Sequence, residues 1–190
     1  MVFYDQLGCG NSDRPDDLSL WTVERFVEEL HILRNHLGLD RCHILGHSWG
    51  TMLGMDYYLA HPDGILSLVQ SSPCISIQRW IEDCNNYRNQ LPVEVQAVMA
   101  EHEKAGTTGS EEYKDAEKEF NKRHVLRMDP VPAAVLRGRR ARGTVVYETM
   151  WGPNEFFMTG NLADYDRSGD LHQISIPTLY SCGRFDEAAP

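Results

Sequence analysis

Residues 46–50 read Gly-His-Ser-Trp-Gly, and no other five residues constrain the fold of this chain so tightly. The short apolar run Cys42-His43-Ile44-Leu45 precedes them, and Thr51 to Ala60 reads as helix. The serine therefore sits at a strand-to-helix turn. Such a turn is so sharp that the residues two before and two after the serine are expected to be small, or side chains would collide. It lifts the Ser48 hydroxyl above the carboxyl edge of a sheet, at a helix N-terminus, where the amide dipoles favour a developing negative charge. Ser48 is the candidate nucleophile, and the backbone N–H of Trp49 is the candidate donor to an oxyanion.

The rest of the composition narrows the setting. With 190 residues, 42% hydrophobic and 24% charged, the chain suits one globular domain, with room for an insertion. A net charge of -10 argues against a nucleic-acid partner and against a basic membrane-binding helix. Arg137, Arg139, Arg140 and Arg142 form a short basic cluster that reads as solvated surface. No apolar run approaches the roughly 20 residues of a membrane span, and the opening residues do not read as a signal peptide. The five cysteines, at 9, 42, 74, 84 and 182, lack Cys-x-x-Cys spacing. Free thiols in a reducing cytoplasm are expected, with no disulfide frame and no zinc site.

Along the chain, Val2-Phe3-Tyr4 reads as a strand, and Gly8 to Pro15 as a loop of turn formers. Thr22 is placed to cap a helix with Val23, Phe26, Val27, Leu30, Leu33 and Leu37 on one face, stopped by Gly38. After the serine turn and its helix, which His61-Pro62 ends, Ile65 to Val69 reads as a buried strand closed by Ser71-Ser72-Pro73. Strand–helix–strand–helix–strand implies a mostly parallel sheet with helices on both faces. From about Ser76 the periodicity is helical. Helices are expected over Trp80–Tyr87, over Pro92–Lys104, after Ser110, and across Ala133–Tyr147. Strand pattern returns at Ile176–Ser181, followed by Gly183-Arg184-Phe185-Asp186-Glu187. The expected division is a core of residues 1–75 and 160–190 with a helical cap of residues 76–159.

Four segments carry a resemblance: Tyr4–Ser12, Gly46–Thr51, Met150-Trp151-Gly152-Pro153-Asn154-Glu155-Phe156 and Gly183–Ala188. In that order they resemble the proline iminopeptidases, serine exopeptidases of the α/β-hydrolase fold. The resemblance implies that Ser48 is the nucleophile and Asp186 the acid that orients a catalytic histidine. It also implies that Glu155 and Glu187 hold the free α-amino group of a small peptide substrate. An ammonium in a partly dry pocket wants one or two carboxylates, and such a contact measures off one residue from the N-terminus. Trp49, Trp151 and Phe156 are candidates for the wall around a proline ring, or for core. The implied reaction is release of an N-terminal residue, preferably proline, through an acyl-enzyme, with no metal or organic cofactor. An amino-acid amidase or esterase on the same fold, and a non-catalytic remnant, are the rival readings.

The family's oxyanion loop, His-Gly-Gly-Pro-Gly, and its catalytic histidine have no counterpart in these residues. His31, His36, His43, His47, His61, His102, His124 and His172 all read as structural or exposed. The chain is therefore expected to be an internal fragment, incomplete at both ends and inactive alone. Its sheet should show either Val2–Tyr4 pairing directly with Cys42–Leu45 or a gap where a strand belongs.

Overall fold

Parallel pairing organises the molecule. Strands β1 (Cys42–His47), β2 (Ile65–Ser71) and β3 (Thr178–Ser181) lie in the order β1-β2-β3, both pairs parallel. Parallel neighbours cannot be joined by a tight hairpin, so each connection is a crossover. The first crossover is helix α2 (Trp49–Ala60), whose number follows that of helix α1 (Val23–His36) ahead of the sheet. The second is the long helical block α3 (Ile77–Arg88), α4 (Val93–Ala105), α5 (Glu111–His124), α6 (Ala133–Ala141) and α7 (Thr144–Met150). This computed structural model describes residues 1–189.

Local chemistry explains where these helices begin and end. Thr22 Oγ1 accepts from the Arg25 N–H at 3.2 Å and caps α1. Gly38, at φ 64°, lets the chain turn out of the helix while Leu39 N–H reaches back to the Arg34 carbonyl at 3.1 Å. Ser110 caps α5 in the same way, accepting from Tyr113 N–H at 3.1 Å. Helix α2 lies on β1 and β2, with Gly54 letting it approach Ile44 and Gln70, and α1 packs on α2.

One apolar cluster runs through the whole molecule. Trp21, Phe26, Met52, Tyr57 and Leu68 belong to it together with Met99, Tyr113, Phe120 and Phe156 from the helical block. Each such side chain contributes about 2–3 kcal/mol when fully buried. A polar clamp adds to it. Asp56 of α2 accepts from Tyr165 Oη at 2.6 Å and from Arg167 Nε at 2.9 Å, tying the helix behind Ser48 to the segment that leads into β3.

The sequence reading needs correction in several places. Val2–Tyr4 forms no strand, and Val2 and Phe3 are exposed. Among the described residues β1 pairs with β2 alone, so its other edge is unpaired, and Val2–Tyr4 does not pair along it. Neither expected arrangement of Val2–Tyr4 against Cys42–Leu45 is formed: the sheet is three contiguous strands with β1 at the edge. Its face bearing Leu45 and Leu179, 66% and 60% exposed, is open. Ala133–Tyr147 is two helices instead of one, because the chain turns at Arg142-Gly143 to pack on the N-terminal loop. Gly10 N–H donates to the Ala141 carbonyl at 2.8 Å, and a side chain at Gly143 would collide with the Gly8 carbonyl. Leu37, expected on the buried face of α1, is exposed because the helix ends there. The last strand is shorter than read, its ladder starting only after Pro177, which has no N–H to give. Among the described residues no helix is long and apolar enough to cross a membrane.

Candidate active site

Ser48 sits between β1 and α2 with φ 52° and ψ −121°, a conformation that costs a non-glycine residue about 1–3 kcal/mol. Hydrogen bonds hold it there. Ser48 N–H donates to the Ser71 carbonyl at 3.0 Å, while the Ser48 carbonyl accepts from Thr51 N–H at 2.8 Å and Thr51 Oγ1 at 2.6 Å. The buried Thr51 hydroxyl oxygen in turn accepts from Cys74 N–H at 3.0 Å, pinning the turn to the loop after β2. The Ser48 side chain makes no cap bond to α2, which leaves its hydroxyl free. Trp49 opens the helix, so its N–H belongs to the first turn, where donors lack an intrahelical acceptor. Its indole turns away, donating to Gln6 Oε1 at 3.1 Å and meeting Phe26 edge-on.

The demand for small residues around Ser48 holds on one side only. A side chain at Gly46 would run into the Gly50 carbonyl oxygen, whereas a Cβ at Gly50 would meet nothing within 4 Å.

Asp186 arrives at the same edge of the sheet. Register places His47 opposite Ser71 and Ser71 opposite Ser181, so the three strands finish level. Ser72, the residue after β2, takes φ 50°. Its N–H donates to the Ser181 carbonyl at 2.7 Å, and its hydroxyl donates to Asp186 Oδ2 at 2.7 Å. Gly183 N–H and Ala188 N–H, at 3.1 and 3.0 Å, complete the hold on the carboxylate. The acid thus follows β3, two strands from Ser48, and is held by Ser72 at the end of the strand that lies between them. Sequence reasoning took Ser72 only as part of a closing turn and missed its role in aiming the acid.

Glu155 and Glu187 meet in less polar surroundings. Glu187 is buried, and its Oε2 has no hydrogen-bond partner. Burial, then the nearby Glu155 and Asp186 charges, push its carboxyl up to about 9. Burial also raises Glu155, against the opposing pull of neighbouring Tyr147 and Arg142. Burial, then the same two glutamates, raise the Cys74 thiol to about 12. The loop that carries Glu155 is rigidly tied. Trp80 Nε1 donates to the Glu155 carbonyl at 2.9 Å, and Asn154 Oδ1 accepts from the Phe157 N–H at 2.9 Å. Asn154 Nδ2 donates to Tyr113 Oη at 2.8 Å, Tyr113 donates to Glu103 at 2.9 Å, and Glu103 is paired with Arg88 at 2.8 Å. Phe156 is in the core at 1% exposure, so it does not wall a pocket; Trp151 is also buried in that cluster.

The histidines lie elsewhere. His31 and His61 stack with ring centroids 3.8 Å apart between α1 and α2. His43 bonds Ser67 at 2.7 Å, and His102 bonds Thr107 at 2.7 Å. His124, stacked on Tyr87, donates through Nδ1 to the Phe185 carbonyl at 3.1 Å, next to the acid but not on it. Asp186 has no histidine among its hydrogen-bond partners. Among the described residues no group of three or more His, Cys, Asp or Glu is placed to hold a metal ion.

A strained serine between a parallel strand and a helix, with an acid anchored at the neighbouring strand end, is the arrangement of the α/β hydrolases. The chain belongs to the alpha/beta hydrolase fold family, whose model matches residues 1–190. Within it, the chain is similar to the proline iminopeptidases. It is 46% identical over 191 residues to the proline iminopeptidase of Heyndrickxia coagulans, a match covering 100% of this chain and 66% of that protein. The crystal structure of the Mycobacterium smegmatis proline iminopeptidase superposes with a TM-score of 0.83 at 39% identity, over 96% of this chain and 62% of that one. That of VinJ superposes with a TM-score of 0.94 at 38% identity, over 98% of this chain and 65% of that one. The chain thus spans just under two thirds of the length of these relatives.

Two stability measurements test the site's construction. Gly46→Ala should lose about 3 kcal/mol in urea denaturation, because backbone meets backbone, while Gly50→Ala should change stability by less than about 1 kcal/mol. Equal losses would place Gly50 in a tight contact after all. The second concerns Glu187. Below 4.5 the folded and unfolded chains both hold its proton; from there to about 9 only the folded chain does, so this carboxyl costs the fold progressively as pH rises. Glu187→Gln should therefore gain stability over the parent between pH 5 and 9, by at most about 1.4 kcal/mol per pH unit. A pH-independent difference would mean that the carboxyl is hydrated.

Proposed function

We propose that this chain carries the nucleophile, the orienting acid and the amine-binding site of a serine exopeptidase that releases an N-terminal residue, proline by preference, from short peptides. The observation that carries this reading is the buried Glu187 carboxylate, unpartnered at Oε2 and lying in the field of Glu155. Two carboxylates in dry surroundings resist ionising together, and a cation that enters relieves both. A peptide's free α-ammonium is such a cation; Glu187 directly follows Asp186 at the sheet edge, and Glu155 comes close enough to it to raise its carboxyl. The similarity to proline iminopeptidases supports proline as the residue that the ammonium belongs to.

In this reading residues 1–75 and 160–190 form the catalytic platform and residues 76–159 a helical cap that brings Glu155 over it. Ser48 Oγ attacks the carbonyl carbon of the N-terminal residue as a base takes its proton. The Trp49 N–H steadies the oxyanion, the shortened peptide leaves with a proton, and water hydrolyses the acyl-enzyme. Asp186 orients the base. Since no described histidine touches Asp186, these 190 residues should bind the amine but turn substrate over slowly. Loss of a triad member costs roughly 10⁴-fold or more. The five free cysteines favour the cytoplasm as the place of action.

Binding is the direct test. Prolinamide should raise the melting temperature of the chain at neutral pH, N-acetylprolinamide should not, and Glu187→Gln should abolish the effect. Equal shifts from both amides would remove the amine site. Reaction of Ser48 with a fluorophosphonate checks the slow turnover: rapid, stoichiometric labelling would contradict it.

A further inference from the structure

The four arginines of the short basic cluster have no acidic partner among the described residues. Arg137, Arg139, Arg140 and Arg142 are exposed at the end of α6, and none forms an ion pair among the described residues. In a chain of net charge -10 an unpaired cationic edge is unusual. Its position is more telling than its charge. The chain breaks after α6, so that Arg142 leaves the helix and folds back over α7, its guanidinium carbon 4.4 Å from the centroid of the Tyr147 ring. Tyr147 reaches inward from there, its buried hydroxyl lying against Glu155. One tyrosine ring therefore separates an exposed guanidinium from the buried carboxylates. Two extended residues span about 7 Å. A dipeptide held by its ammonium at Glu155 and Glu187 carries its C-terminal carboxylate that far away, and Arg142 is the cation whose charge acts on Glu155.

We propose that Arg142, stacked on Tyr147 on the outer side of Glu155, reads the free C-terminal carboxylate of a dipeptide and so biases the site toward the shortest peptides. Arg137, Arg139 and Arg140 extend the positive edge and draw anionic peptide ends toward it through an otherwise negative surface. This rests on Glu155 and Glu187 being the amine site. Arg142 also acts on Glu155 itself, holding it toward its charged form. A residue that only did this would strengthen every amine ligand alike, whereas a reader of carboxylates distinguishes an acid from its amide. The distinction is sharp, because a pocket built of two glutamates alone prefers the more cationic amide.

The test compares Pro-Gly with Pro-Gly-amide by calorimetry on the 190-residue chain, with prolinamide as the reference ligand. The parent should bind the free acid roughly three- to fivefold more tightly than the amide, as an exposed ion pair allows. Arg142→Gln should reverse that preference over and above any loss it shares with prolinamide, and Arg142→Lys should retain part of it. Prolinamide binding with no preference for the acid, or an Arg142→Gln loss shared equally by all three ligands, would overturn the role of Arg142 and leave the amine site standing. Failure of prolinamide itself to bind would bring down both.

Discussion

The register of three strand ends is the constraint on which the site depends. Because His47, Ser71 and Ser181 lie side by side, the residues that follow them leave the sheet at one level. Ser48 turns into a helix there, Ser72 turns into a loop, and the segment after β3 curls back to deliver Asp186. Two of these residues hold positive φ without being glycine. Such strain persists only where surrounding bonds over-determine it. Here the Ser48–Ser71 and Ser72–Ser181 backbone bonds do so. A slip of one residue would turn every side chain to the other face and separate the serine from the acid.

The second organising fact is a contrast in how the carboxylates are treated. Asp186 accepts three hydrogen bonds and is partly exposed. Glu187, the next residue, is buried with an oxygen unpartnered. Adjacent side chains thus meet opposite surroundings, one hydrogen-bonded and partly exposed, the other buried and held toward its neutral form. The long tie through Arg88, Glu103, Tyr113 and Asn154 makes sense in this light. It stiffens the loop bearing Glu155, which would otherwise relax away from its like-charged neighbour.

Much of this was legible in the chain. The strand, turn and helix around Ser48 followed from residue size and periodicity, and so did the Thr22 and Ser110 caps. The late strand that ends near Asp186 also read through, short by its first residues. What failed were the features decided by distant neighbours. Val2–Tyr4 has good strand residues, but strand propensity is decided by the neighbours a segment packs against, and this one is paired with no strand. The break at Arg142-Gly143 depends on the loop around Gly8, more than a hundred residues earlier. Ser72 gives no local sign of its task, since a serine before a proline reads as a turn wherever it stands. The burial of Phe156 likewise depends on Phe120, which packs against it from α5.

The apolar cluster that runs unbroken from Trp21 and Met52 into Tyr113 and Phe120 has a mechanical consequence. A roof that shares its filling with the floor has no seam along which to swing. The helical block α3–α7 is bound to the sheet-side helices by side chains common to both, so neither can shift without disturbing the packing of the other.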